Sequence, residues 1–197
     1  MTLSNDDRPS FVVIDGLDGV GKSTVVRQLV LMTGGVDVSS IIARQVSSSG
    51  YSGFTKEGDA AHRYEYWLSI NRLAGQAARG IIAAGRTAIV DSYVFRTIAT
   101  HRVQGVKINS LSALRSVVRP DRAAMLTVSE DVRLARLAHR DDKAESEWHA
   151  YLRRHRGEVL RWYQQFFLAE IDTSGNAQDV AKHILQSEEY SDFWFGE

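Results

Sequence analysis

Gly16, Gly21, Lys22 and Ser23 fall in the spacing G-x-x-x-x-G-K-[S/T] inside the run from Ile14 to Thr24, Ile-Asp-Gly-Leu-Asp-Gly-Val-Gly-Lys-Ser-Thr. That spacing is the pattern of a polyphosphate-binding loop. Glycines let successive backbone N–H groups turn inward around phosphate oxygens, a lysine brings a point charge to the β and γ phosphates, and the hydroxyl after it ligates Mg²⁺. With glycine at ~7% of residues, chance produces such a match in about one chain of this length in a hundred, so the pattern is read as functional. Gly16, Leu17, Asp18, Gly19, Val20, Gly21, Lys22, Ser23 and Thr24 are the candidate ATP-binding segment. Asp91 is the second chemical feature, delivered by the apolar run Thr87-Ala88-Ile89-Val90. A strand-end carboxylate can be a helix cap, but facing such a loop it orients Mg²⁺ or meets the incoming acceptor. Ser23 and Asp91 are thus the candidate metal ligands, and Lys22 and Asp91 are candidate catalytic groups.

These groups need elements to hold them. Phe11-Val12-Val13-Ile14 reads as a buried strand, and Val25, Val26, Leu29 and Val30 recur at helical spacing just after the loop. Strand, loop, helix is the order the motif requires. The apolar run within 39–43 predicts a second strand, followed by Arg44 and a Ser- and Gly-rich loop over 47–53 that either connects elements or covers a substrate. A helix is predicted from Asp59 to Ala84, with Tyr64, Trp67, Leu68, Asn71, Gly75, Ala78 and Ile82 on one side and Gly85 as its stop. Another strand is expected over 123–128. Ser129 then caps a helix over 132–140 with Leu134, Leu137 and Ala138 as its apolar stripe and Arg133, Arg136 and Arg140 on a different, solvated side. The polar segment 141–147 is placed to close over a nucleotide as a lid. Trp148 opens a long helix whose apolar face carries Tyr151, Leu152, His155, Val159, Trp162, Tyr163 and Phe166, and a last strand at Ile171 and a helix over 180–185 complete the pattern. Alternating strands and helices with a nucleotide loop after the first strand predict a three-layer α/β fold of the P-loop NTPase type, a parallel sheet with helices on both faces.

The chain's 197 residues, 44% of them hydrophobic, suffice for one such domain, with a flexible N-terminus over 1–9 and an aromatic tail over 188–197 that docks on its own domain or meets a subunit. The 24 basic residues balance the 24 acidic ones, so no overall field draws the protein to nucleic acid or to a membrane surface. With no cysteine there is no disulfide, thiolate metal site or cysteine nucleophile. Residues 1–10 are polar, and no segment carries about 18 uninterrupted apolar residues. A cytoplasmic protein is expected.

Loops of this kind serve several chemistries. None of the four asparagines begins an Asn-Lys-x-Asp guanine signature, and Asp91 is followed by Ser92, not by a water-positioning glutamate. These observations argue against a GTPase and a motor-type ATPase, and the chain's size and the arginines near predicted strand ends favour a small phosphotransferase acting on a phosphate- or hydroxyl-bearing metabolite. Two anionic substrates brought together require several cations to offset their repulsion.

The Ile14–Thr24 segment resembles the opening of thymidylate kinases, nucleoside monophosphate kinases that use ATP and Mg²⁺. Further landmarks follow in order: Arg44, Asn71-Arg72, Asp91 and Tyr93 at the outer positions of the family's Asp-Arg-aromatic motif, Pro120-Asp121 and Asp172, so the similarity spans roughly residues 10 to 186. The resemblance implies that Lys22 and Ser23 hold the donor phosphates and Mg²⁺, that Asp18 contacts the acceptor sugar, that Arg44 and Arg72 hold the acceptor, and that the protein is a homodimer. Gly19 stands where some members place an arginine, which implies lid arginines instead, with Arg136 and Arg140 as candidates. Three positions depart from the family. Ser92 replaces the motif arginine, Leu68 replaces the aromatic residue that stacks on thymine, and Thr100 replaces the tyrosine associated with deoxyribose preference. An arginine-to-phosphate contact in a closed site is worth ~2–5 kcal/mol, so its loss at Ser92 demands compensation. Arg96, four residues on and one helical turn along the same face if the segment is helical, is the expected replacement. The expectation is an ATP-dependent kinase transferring the γ-phosphoryl group to thymidylate or a related nucleotide. The alternatives are a nucleoside kinase phosphorylating a hydroxyl and a nucleotide-binding regulator without turnover.

Overall fold

A computed structural model of the chain describes residues 8–48, 59–139, 147–166 and 168–187. Its sheet contains β1 (Phe11–Gly16), β2 (Val36–Asp37), β3 (Ala88–Asp91), β4 (Arg122–Thr127) and β5 (Ala169–Asp172) in the spatial order β2-β3-β1-β4-β5, and every neighbouring pair is parallel. The connecting helices are α1 (Lys22–Thr33), α2 (Val38–Ser48), α3 (Ala60–Ala83), α4 (Val94–Val103), α5 (Ser110–Arg115), α6 (Glu130–Ala138), α7 (Glu147–Arg154), α8 (Arg156–Gln164) and α9 (Ala177–Gln186). The expected three-layer fold is the one observed.

Side-chain alternation along β1 explains the two-sided core. Phe11 and Val13 point to a cluster shared with α3, α4 and α8, while Val12 and Ile14 point to a second cluster built with α1 and α9. All six residues of β1 are buried, as a central parallel strand covered on both faces requires. Asp121 pins the entry to β4, its carboxylate accepting the Phe11 N–H at 2.7 Å and its own N–H donating to the Phe11 carbonyl at 2.9 Å. Because β3 lies on one side of β1 and β4 on the other, chain connections diverge beyond the carboxyl end of β1, the usual place for a ligand in an open α/β sheet. The phosphate-loop motif lies at that point.

Several expectations need correction. Residues 39–43 are helical, inside α2, and the second strand is only Val36–Asp37. A short apolar run does not distinguish a strand from the buried stripe of a helix. Arg44 therefore follows no strand and stands exposed on α2. The helix after Asp59 begins as expected, with the Asp59 carboxylate accepting the His62 N–H at 2.9 Å, but Trp67 is 41% exposed and not part of its buried side. The basic side of α6 is the inward one, since Arg133 is buried while Leu134 is exposed. Ser129 occupies the N-cap position of α6 without a side-chain cap bond. The long helix expected from Trp148 is two helices, α7 and α8, broken at His155. Arg140 and the segment 141–146, together with the N-terminal residues 1–7, the loop residues 49–53 and the tail 188–197, lie outside the described residues.

Candidate active site

Beyond β1 the chain turns back on itself at Gly16 and Gly19, whose φ values of 133° and 88° are unfavourable for side chains. Space is equally restrictive. A Cβ on Gly16 would lie 2.6 Å from the Leu126 carbonyl oxygen, and one on Gly19 would lie 2.9 Å from Leu137 Cγ and 3.0 Å from Arg133 Cγ. The loop is thus packed between β4 and α6, and Gly21 hands it over to α1. Val20 is buried, Leu17 is partly buried against both halves of the core, and Thr24 points outward from α1, accepting a bond from Arg27 at 3.4 Å.

Asp18, Gly19, Lys22, Ser23, Asp91, Ser92 and Arg96 line a cavity of about 230 Å³ at this point. The Lys22 ammonium donates to the Gly16 and Leu17 carbonyls, each at 3.1 Å, and stands 3.7 Å from the Asp18 carboxylate. Burial and the charge of Arg96 lower its pKa, against the opposing pull of Asp18, Asp91 and Asp15. The Ser23 hydroxyl donates to the Asp91 carboxylate at 3.2 Å, joining the start of α1 to the end of β3. Ser92 donates to the other Asp91 oxygen at 3.0 Å. A hydroxyl and a carboxylate so placed are hard oxygen donors that suit Mg²⁺, which takes one or two protein ligands and completes its shell with water and substrate phosphates. Among the described residues no cluster of three or more His, Cys, Asp or Glu side chains could hold a metal by itself.

Arg96 meets the cavity from the first turn of α4. Its two terminal nitrogens donate to the two Asp18 oxygens at 3.0 and 3.1 Å, a bidentate pair. Burial disfavours its charge, yet Asp18 more than compensates and holds the guanidinium pKa above its ordinary value. The expected helical spacing between Ser92 and Arg96 is not what brings them together. Ser92 precedes α4 in a left-handed conformation with φ 69°, and the turn it makes directs both residues to one cavity.

Other groups that support the loop escaped the sequence reading. Asp15 is fully buried, and its carboxylate accepts the Tyr163 hydroxyl at 2.6 Å, the Gly16 N–H at 3.0 Å, the Tyr93 N–H at 3.2 Å and the Arg96 N–H at 3.3 Å. Desolvation raises its pKa, opposed first by the Tyr163 bond. An aspartate inside an apolar strand was the available signal, because a buried carboxylate must find donors. Ser39 in α2 accepts the Asp91 N–H at 2.7 Å and donates to the Asp91 carbonyl at 3.2 Å, fixing the strand end. Arg133 donates to the Asp18 carbonyl at 2.9 Å and to both Glu130 oxygens at 2.8 Å, and Glu130 also pairs with Arg156.

The remaining candidates lie apart from the cavity. Arg136 turns toward the loop backbone and β5, donating to the Val20 carbonyl at 3.0 Å and the Thr173 carbonyl at 2.7 Å. Leu68 packs in the core, and the Thr100 hydroxyl donates to the Arg96 carbonyl at 2.8 Å. Arg72 is exposed beside Asn71, which is itself buried and donates to Thr97 at 2.8 Å.

The family model for thymidylate kinase matches residues 14–184, covering the loop, Asp91 and Arg96. The chain belongs to the thymidylate kinase family. Among curated relatives, it is 23% identical over 137 residues to a thymidylate kinase of Xylella fastidiosa strain M12, a match covering 66% of this chain and 63% of that protein. It is 26% identical over 194 residues to a probable thymidylate kinase of Thermococcus onnurineus, covering 89% and 95% respectively. Among solved structures, a thymidylate kinase from Candida albicans superposes with a TM-score of 0.66 at 16% identity over 89% of each chain, supporting the thymidylate kinase family's α/β fold here.

Proposed function

We propose that this protein is an ATP-dependent nucleotide kinase that transfers the γ-phosphoryl group of ATP to a nucleoside monophosphate, thymidylate or a related nucleotide. The observation that carries this reading is the 3.2 Å contact between Ser23 and Asp91 within a cavity that Lys22 also lines. It supports a loop that wraps the donor phosphates in backbone N–H groups, with Lys22 moving from the loop carbonyls to the β and γ oxygens. Ser23 and Asp91 would hold Mg²⁺, which when bound neutralises phosphate charge and orients the transferred group. Asp18 and Arg96 face the acceptor side of the cavity, and Asp91 stands beside the line of transfer. Little covalent chemistry is asked of the protein, since positioning and charge neutralisation supply most of the acceleration in phosphoryl transfer. As the family resemblance implies, Arg44 and Arg72 are proposed to hold the acceptor, here on the side of its base because neither lines the cavity, and the arginines at 136 and 140 are proposed to serve the lid. The same resemblance supports a homodimer, while the balance of 24 basic and 24 acidic residues supports the reading that neither nucleic acid nor a membrane surface is a partner, and the lack of cysteine fits the cytoplasm. No described helix is long and apolar enough to cross a membrane.

A nucleoside kinase is the second reading. It is favoured by neutral Ser92 at the motif arginine's position and by Asp91, which would then take the proton of a hydroxyl acceptor. ADP formation with Mg²⁺ and paired nucleosides and nucleoside monophosphates separates the two. Turnover with monophosphates supports the first reading, turnover with nucleosides alone supports the second, and ATP binding without turnover on any acceptor supports a regulator.

A further inference from the structure

Among the described residues, the cations that line the cavity are Lys22 and Arg96, set against the carboxylates of Asp18 and Asp91. We propose that Arg96 binds the phosphate of the acceptor and makes this site select a phosphomonoester over a free hydroxyl, the task that the family resemblance gives to an arginine at the position of Ser92. The inference rests on the kinase reading of the site.

Elimination and geometry support it together. Lys22 lies within the donor loop and bonds its carbonyls, so it is committed to the donor side. Ser92 is neutral and its hydroxyl is engaged with Asp91. Arg133 is engaged with the Asp18 carbonyl and the Glu130 carboxylate, and Arg136 with the Val20 and Thr173 carbonyls. Arg44 and Arg72 do not line the cavity. An acceptor phosphate entering beside Asp18 and Asp91 would meet two like charges, and Arg96 is the group placed to offset them.

Arg96 is also built to stay where it is needed. Its backbone N–H is held by the buried Asp15 carboxylate at 3.3 Å, and its side chain, only 22% exposed, is clamped by Asp18. A guanidinium has five N–H donors in a planar fork; Asp18 engages one edge of it, and Nη1 also reaches the Gly16 carbonyl at a long 3.5 Å. Donors remain for a phosphate that shares the cation with Asp18 or displaces it. The carboxylate thereby keeps the guanidinium oriented until an anion of higher charge arrives, and a neutral nucleoside has nothing to offer in that exchange. Pre-organised arginine forks of this type favour phosphate through paired, charge-assisted bonds.

The experiment measures turnover with thymidine monophosphate and with thymidine, and separately the affinity for a non-hydrolysable ATP analogue, in wild type, R96A, R96K and the S92R/R96A double variant. The expected result is a loss in kcat/KM for the monophosphate of at least about a hundredfold in R96A, corresponding to the range of a buried charge pair's loss. The ATP analogue should bind every variant within about threefold of wild type, a difference of under ~1 kcal/mol. R96K should recover only part of the loss because a point charge does not reproduce the fork. The S92R/R96A protein should regain at least about tenfold over R96A, because an arginine returns to the same cavity from the neighbouring position. Monophosphate turnover unchanged in R96A overturns the assignment. So does an equal loss of ATP-analogue affinity and turnover without rescue by S92R, which is the behaviour of a merely structural ion pair. A wild-type protein that phosphorylates thymidine but not thymidine monophosphate overturns the nucleotide-kinase reading beneath it, and is thereby distinguished from failure of the Arg96 assignment alone.

Discussion

The hydroxyl of Tyr163 donates a 2.6 Å hydrogen bond to the carboxylate of Asp15, joining α8 to the end of β1 across 148 positions of the chain. Both groups are buried, and the same carboxylate caps the start of α4 through the N–H groups of Tyr93 and Arg96. One carboxylate therefore fixes the phosphate loop, the turn after Asp91 and the root of Arg96. Replacing Tyr163 with phenylalanine should cost about 1–3 kcal/mol, because it removes a donor from a buried charge without removing packing. The sign of the pH dependence follows from the raised pKa of Asp15. A carboxyl raised in the folded state is penalised as pH climbs above its unfolded value near 3.8, and losing the Tyr163 bond raises it further. The destabilisation of Y163F should thus be larger near pH 8 than near pH 4 in denaturant titrations. A pH-independent cost would contradict an ionised Asp15 as the hub.

The phosphate loop was legible because its chemistry is local. Glycines, lysine and serine at fixed spacing need no knowledge of distant elements, and Asp91 follows Thr87-Ala88-Ile89-Val90, β-branched at three of its four positions and so biased toward a strand. The supporting groups were not legible for the opposite reason. Arg133 looks like any exposed helical arginine until the Asp18 carbonyl, 115 positions away, is brought against it. Ser39 lies in a run that reads equally as strand or helix, and only the helical outcome places its hydroxyl on Asp91. Tyr163 reads as one more core aromatic, since its polar end matters only once Asp15 has been placed opposite it. The approach of Ser92 and Arg96 to one cavity was anticipated, but from a regular helical turn, when the turn is left-handed at Ser92.

Arg133 provides a second prediction. Changing it to methionine preserves much of the buried stem but frees the Asp18 carbonyl and leaves Glu130 with Arg156 alone. A cost of about 2–4 kcal/mol is expected, since one partner of a buried polar network is removed. ATP affinity should fall as well, by about tenfold, because the loop loses a brace and not a ligand-contacting group. Thermal denaturation and nucleotide titration check the two effects, and a variant as stable as wild type would refute the bracing role.

His101 provides a pH prediction away from the site. It is 1% exposed, and its Nδ1–H donates to the Thr97 carbonyl at 2.7 Å, next to Tyr64 and under the influence of Arg63. Burial pushes its pKa down to about 4 from 6.5. A base depressed in the folded state binds protons better when unfolded, so stability is lost as pH falls from 6.5 toward 4. The loss over that window is about 3 kcal/mol by linkage. In H101Q the wild-type slope across this window should flatten, and an unchanged slope would assign it to other groups.

Phosphoryl transfer itself is the central claim, and the most direct measurement follows label from [γ-³²P]ATP into thymidine monophosphate in the presence of Mg²⁺, comparing wild type with Lys22→Ala. The account predicts labelled nucleoside diphosphate from the wild type and a loss of at least about a hundredfold in the variant, because the cation for the transferred phosphate is gone. Label that never leaves ATP, over a full panel of nucleoside monophosphates and with ATP still bound, would contradict it.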